Sequence, residues 1–139
     1  MDKVMTDAEI RKAIASYKFY HIIPLTKTLS TPGNPLYVPA QELFMKHLKA
    51  LDLRGKRVLD IGCRDGLFSF AAESMGAAEV VGIDNDLSKP ATEFLIPFFK
   101  SKVRMLQQCM SSEHFGQLAW QFKRMSGSSG LKVQAAIAC

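Results

Sequence analysis

The residues best suited to chemistry lie in two short runs. Val58-Leu59-Asp60-Ile61-Gly62-Cys63-Arg64-Asp65-Gly66 ends an apolar stretch in a carboxylate and follows it with two glycines. Val80-Val81-Gly82-Ile83-Asp84 is a second apolar stretch ending in a carboxylate, 18 residues past Gly66. Glycine at 62 lets backbone approach a ligand with no Cβ between them. Glycine at 66 allows a turn into a helix whose first N–H groups face that ligand. A carboxylate at the end of the next strand can accept two hydrogen bonds from a ribose diol. The chemistry implied is capture of a nucleoside-type ligand at the carboxyl ends of parallel strands. Each residue also has a plainer reading. Asp60 could be satisfied by loop N–H groups, Gly62 and Gly66 could serve only the turn, and Asp84 could cap a helix with Asp86.

Spacing sorts the competing ligands. The dinucleotide fingerprint G-x-G-x-x-G is absent because Arg64 stands where its second glycine would be, and the phosphate loop G-x-x-x-x-G-K-[ST] is absent too. No G-x-S-x-G or Cys–His signature marks a covalent nucleophile. Cys63, Cys109 and Cys139 form no C-x-x-C pair, and His21, His47 and His114 are scattered. Three reduced thiols packed as small apolar groups are expected, rather than a disulfide framework or a zinc site.

These residues need elements to hold them. Thr6-Asp7-Ala8-Glu9 has capping-box spacing, with Ile10, Ala13, Ile14 and Tyr17 at helical intervals, so a helix is predicted from about Asp7 to Lys18. Five Pro and Gly residues in 22–39 predict an ordered loop. A second helix is predicted from Pro39 to Leu51, burying Leu43, Phe44, His47, Leu48 and Leu51 as one stripe. Strands are predicted at 57–61, at 79–83 ending on Asp84, and at 102–106. Between them lie a helix closed by Gly76 and another from Pro90 to Phe99, bent near Pro97. Phe68 and Phe70 are expected in the core. Asp65 and Arg64 are expected at the surface or stabilising the loop, with the Arg64 side chain turned away from any ligand. Alternation of strand and helix at this spacing argues an α/β fold: a Rossmann-like parallel sheet with right-handed crossover helices. Phe115, Leu118, Ala119, Phe122 and Met125 fit an amphipathic helix, 126–130 a flexible linker, and 131–139 a fourth strand. The expected organisation is an N-terminal helical and loop extension (1–54), a ligand-binding unit (55–110) and a divergent tail (111–139).

The 139 residues are 47% hydrophobic and 22% charged, which is globular rather than disordered composition. No run approaches the roughly 20 apolar residues that span a bilayer, and no secretory leader is visible, so a cytoplasmic protein with no membrane partner is expected. The net charge of +5 is uneven. Residues 1–93 hold 12 Lys+Arg against 12 Asp+Glu, whereas 94–139 hold six against Glu113 alone. A basic last third can attract nucleic acid, or be only a solvated face.

Strand, Asp60, Gly62, Gly66 and Asp84 together resemble the motif of class I S-adenosylmethionine-dependent methyltransferases. With Tyr20-His21-Ile22-Ile23-Pro24-Leu25 and Thr31-Pro32-Gly33, the match over roughly residues 17–106 is similar to the tRNA wobble-uridine carboxymethyl/methyl transferase-like family. The resemblance implies S-adenosylmethionine as cofactor. Asp60 would orient its methionine end; Gly62, Cys63 and Gly66 would supply a backbone bed; Asp84 would bind the ribose hydroxyls; and Asn85 would lie against the adenine. It implies RNA, specifically tRNA, as a partner. Three departures stand out: Arg64 replaces a loop glycine, Gln107-Gln108-Cys109-Met110 replaces an adenine-reading group, and nothing past Gly116 matches the fourth strand. Val58 to Cys139 has room for about three βα units of roughly 25–30 residues, where the family's sheet has seven strands. An incomplete methyltransferase fold with a truncated or altered C-terminus is therefore expected. The function expected is methyl transfer, with a catalytically inactive cofactor-binding or interaction fragment as the alternative. No catalytic base is assigned; Tyr20 and His21 lie in a segment that relatives fold near the site, His21 being expected to be structural.

Overall fold

The computed structural model describes residues 3–108 and the backbone of residues 131–134. Helix α1 covers Asp7–Ile14. Thr6 caps it in a complete capping box: its hydroxyl accepts the Glu9 N–H while the Glu9 carboxylate accepts the Thr6 N–H at 2.7 Å. The helix stops short of the expected Lys18. Ser16 Oγ bonds back to the Ala13 carbonyl at 3.3 Å, competing with helical pairing in the last turn.

Residues 20–34 fold back on themselves through an isolated antiparallel bridge between Pro24 and Ser30. Thr31 Oγ1 donates to the His21 carbonyl at 2.7 Å and accepts the Ile23 N–H at 2.8 Å. A Cβ at Gly33 would lie 2.2 Å from the His21 carbonyl carbon, so the loop closes only with glycine there. A 3₁₀ turn at Pro35–Tyr37 then leads into α2, Val38–Lys49.

Helix α2 buries only part of the expected stripe. Leu48 is buried and Leu51, just past the helix, packs against the core as expected, but Leu43, Phe44 and His47 are exposed and Gln41 is buried instead. The helix is rotated because Gln41 Oε1 accepts the Ile22 N–H, which turns Gln41, Met45 and Leu48 inward. His47 is therefore a solvent-facing residue and not a packed one.

Strand β1 (Arg57–Ile61), helix α3 (Leu67–Ser74), strand β2 (Glu79–Asp84), a π-helical turn at Pro90–Leu95, helix α4 (Ile96–Phe99) and strand β3 (Arg104–Gln107) follow. Pro97 has no N–H to give and crowds the preceding turn. The chain widens just before it, with the Ile96 N–H reaching the Ala91 carbonyl five residues back. Strand β3 starts two residues later than expected. Side chains take the preceding N–H groups: Glu73 accepts that of Lys102 at 2.7 Å, and Ser101 Oγ that of Val103 at 3.1 Å.

All strand pairs are parallel, in the order β3-β2-β1-β4, with β4 at Leu131–Gln134 beside β1. Asp60 faces Gly82 in the β1–β2 register. Side chains alternate across the sheet. Val58 and Val80 join the main core with Leu67, Phe70, Leu95 and the N-terminal Ile10, Phe19 and Leu48, while Leu59, Ile61, Val81 and Ile83 cluster on the opposite face. The parallel α/β architecture expected from the strand–helix alternation is present. The amphipathic stretch 115–125, the linker 126–130, residues 135–139 and the thiols of Cys109 and Cys139 lie outside the described residues.

Candidate functional site

The loop after β1 is pinned to the end of β2. The N–H groups of Gly62 and Cys63 both donate to the Ile83 carbonyl, at 2.8 and 3.1 Å, and the Gly66 N–H closes a turn on the Cys63 carbonyl at 2.7 Å. Gly62 and Gly66 have φ of 76° and 87°, the left-handed region in which a Cβ is disfavoured. Asp84 joins the two strand ends: its carboxylate accepts the Arg64 N–H at 2.8 Å and the Asn85 N–H at 2.7 Å. Sequence placed Asp84 next to this loop, and the structure bonds it there. Its partners are backbone groups of the loop and of Asn85, not a cap shared with Asp86. Asn85 follows at the surface.

Asp60 is buried at 3% exposure. One oxygen accepts the Ser69 hydroxyl at 2.6 Å; the other, Oδ1, is buried without a partner. Burial outweighs the Ser69 bond and raises the Asp60 pKa to about 6, with the Asp84 charge acting in the same direction. A buried carboxylate oxygen lacking a donor is what a ligand amino group would satisfy. Cys63 supplies backbone here and no nucleophile. Its thiol is buried against β2, and burial, followed by the charges of Asp60 and Asp84, pushes its pKa up.

Two residues matter to this site beyond those the sequence singled out for a ligand. Gly82 is the first. A Cβ there would lie 2.8 Å from Cys63 Sγ and 3.2 Å from Ser69 Oγ, so its bare backbone lets the loop and α3 settle onto β2 beside Asp60. Its place opposite Asp60 in two adjacent strands was the available signal. Asp65 is the second, expected as a surface group or a loop stabiliser. It is buried at 4% exposure, so the surface reading is wrong and the stabilising one holds. Oδ2 accepts the N–H groups of Tyr20 and His21, the latter at 2.9 Å, and Oδ1 accepts the Ser88 hydroxyl at 2.8 Å. Asp65 thus fastens the N-terminal segment over the loop.

That segment brings an aromatic chain. Tyr37 stacks on Tyr20 at 4.5 Å, His21 meets Tyr20 and Phe68 edge-on, and Phe44 meets Phe68. Phe70 packs in the core as expected, but Phe68 is only partly buried and belongs to this chain. Burial lowers the His21 pKa to about 4; Asp65 opposes that shift, Arg64 adds to it and Asp84 opposes it. Its Nδ1 is buried without a partner. A separate cavity of about 750 Å³ lies between α2 and α3, lined by Ile23, Gln41, Met45, Phe70 and Phe99 among others. It touches none of Asp60, Gly62, Cys63, Gly66, Asp84 or Asn85, and it is apolar where the strand-end site is polar. Among the described residues, no group of His, Cys, Asp and Glu could hold a metal ion, and no helix is long and apolar enough to cross a membrane.

A parallel sheet with β1, β2 and β3 adjacent and helices between the strands is the Rossmann-like fold found in class I S-adenosylmethionine-dependent methyltransferases. The crystal structure of PRMT6 shares this fold, with a TM-score of 0.51 and 21% identity over 70% of this chain and 31% of that one. Residues 39–92 match the family described as ribosomal protein L11 methyltransferase (PrmA). The enzymes of that name from Aliivibrio fischeri (strain MJ11) and Sodalis glossinidius (strain morsitans) are 48% and 50% identical over 48 residues, 34% of this chain. The match spans only 16% of the length of these relatives. The narrower expectation of a tRNA wobble-uridine family is not supported; the sequence matches lead to ribosomal protein methyltransferases instead.

Proposed function

We propose that this chain binds S-adenosylmethionine and forms the cofactor-holding part of a methyltransferase. The observation that carries the reading is the meeting of Asp84 with the Gly62–Gly66 loop at the carboxyl ends of two adjacent parallel strands. The residues fit such a group. Asp60 Oδ1, buried without a donor, suits the cofactor's amino group. Gly62, Cys63 and Gly66 would form the backbone bed, Asp84 retains lone pairs for the ribose hydroxyls beside its bonds to Arg64 and Asn85, and Asn85 would border the adenine. When bound, the cofactor supplies a methyl group on a sulfonium, ready for displacement by a nucleophile. The chain's own contribution is to hold and orient.

The acceptor class favoured is a protein, since the residues of the cofactor region match enzymes named for ribosomal protein L11. A tRNA acceptor, implied by the wobble-uridine resemblance, is the competing outcome. Calorimetric titration with S-adenosylhomocysteine tests the binding step. One-to-one binding to the wild type and at least tenfold weaker binding to Asp84→Ala, with the fold retained, support the proposal. No heat at millimolar ligand overturns it. Methyl transfer from labelled S-adenosylmethionine to ribosomal protein L11, or instead to tRNA, decides the acceptor.

A further inference from the structure

Arg64 occupies the loop position where a glycine is common, and it does so at a φ of 46°. A non-glycine residue in the left-handed region is disfavoured, and such residues persist at sites that use them. Its backbone N–H is engaged with Asp84. Its guanidinium lies over the Tyr20 ring, 5.0 Å from the centroid, half-buried rather than extended into solvent. Among the described residues no carboxylate pairs with it. Two residues on, Gly66 begins α3 with no side chain capping the helix. Asp65, the nearest candidate partner, is already committed to Tyr20, His21 and Ser88. An arginine held on an aromatic ring, two residues ahead of an uncapped helix N-terminus in the same loop, is suited to an anion.

We infer that Arg64, whose replacement of a loop glycine predicts a side chain turned away from the ligand, instead reads the α-carboxylate at the amino-acid end of the cofactor from its seat on Tyr20. This rests on the proposed function and deepens it. Asp60 addresses the amino group of that end and Arg64 the carboxylate, so the chain grips both charges of the amino acid from opposite ends of one loop. Tyr20 keeps the guanidinium in place, and Asp65 keeps Tyr20 in place.

The test compares two probes, S-adenosylhomocysteine and its decarboxylated analogue, in which hydrogen replaces the α-carboxylate. The wild type should bind the first at least tenfold more tightly, as loss of a charge-assisted hydrogen bond implies. Arg64→Gln should abolish that preference by weakening S-adenosylhomocysteine alone, leaving the analogue's affinity unchanged. Arg64→Lys should restore part of the preference. Melting temperature and circular dichroism check that the variants fold. Equal weakening of both probes, or no change in either, overturns the role of Arg64 while leaving cofactor binding intact. Failure of the wild type to bind either probe overturns the proposed function and this inference with it.

Discussion

The strand half and the N-terminal segment are built on different principles. From Arg57 to Gln107 every element but the start of β3 follows local pattern, and a regular parallel ladder holds β1, β2 and β3 in register. Residues 19–34 have almost no regular structure, yet Phe19, His21, Ile23, Leu29 and Thr31 are all buried. Their backbone groups are satisfied by side chains distant in sequence: Asp65 for Tyr20 and His21, Gln41 for Ile22, Thr31 for Ile23. A ladder distributes its support over many bonds. A side-chain clasp concentrates it in a few groups, and Asp65, which holds two backbone N–H groups and the Ser88 hydroxyl, carries the largest share.

The largest expected effect follows directly. Asp65→Ala leaves the buried His21 N–H and the partly buried Tyr20 N–H without an acceptor and should cost roughly 3 kcal/mol. Amide exchange should accelerate at Tyr20 and His21 far more than at Val58 or Val81; equal acceleration throughout would erase the distinction between clasp and ladder. Gly82→Ala probes the ladder side. The new methyl must displace Cys63 and Ser69, costing about 1–3 kcal/mol as overpacking does. An unchanged melting temperature would show that the close approach is not needed.

A pH series sharpens the comparison, because each region holds a buried group shifted within the range from pH 4 to 6.5. His21 is lowered from 6.5 to about 4, so it disfavours protonation of the folded state. Its contribution is present above pH 6.5 and is lost as pH falls toward 4. Asp60 is raised from 3.8 to about 6, so its ionisation destabilises the fold as pH rises through that window. The two effects oppose each other. His21→Phe should expose the Asp60 slope, with stability falling from pH 4 to 6, and Asp60→Asn should expose the His21 slope, with stability rising. Identical pH profiles for both variants would mean that neither group is perturbed. The smallest effect is expected at the chain's start, where Thr6→Ala should cost about 1 kcal/mol by loss of the α1 cap. A melting curve unchanged by it would remove α1 from the cooperative unit.

What could be read from sequence follows the same division. The β1 and β2 limits, the loop, Gly76 closing α3, and the nearness of Asp84 to the loop were legible because hydrophobic period and glycine placement act over a few residues. The orientation of α2 was not. Leu43 and Phe44 belong to an apolar stripe that periodicity assigns to the core, but the Gln41 bond to Ile22, 19 residues away, turns the helix and leaves them exposed. The late start of β3 depends on Glu73 and Ser101, and the clasp on Asp65 depends on a pairing 44 residues long. The role of Gly82 needed the β1–β2 register, which no single segment contains.

The central claim is that the strand-end loop, rather than the apolar cavity between α2 and α3, holds an adenosyl ligand. Backbone chemical-shift mapping during titration with S-adenosylhomocysteine separates the two sites. Saturable shifts centred on Gly62, Cys63, Gly66, Asp84 and Asn85, with Met45 and Phe99 unmoved, are the predicted result. Shifts confined to Met45, Ala71 and Phe99, or none at millimolar ligand, would contradict it.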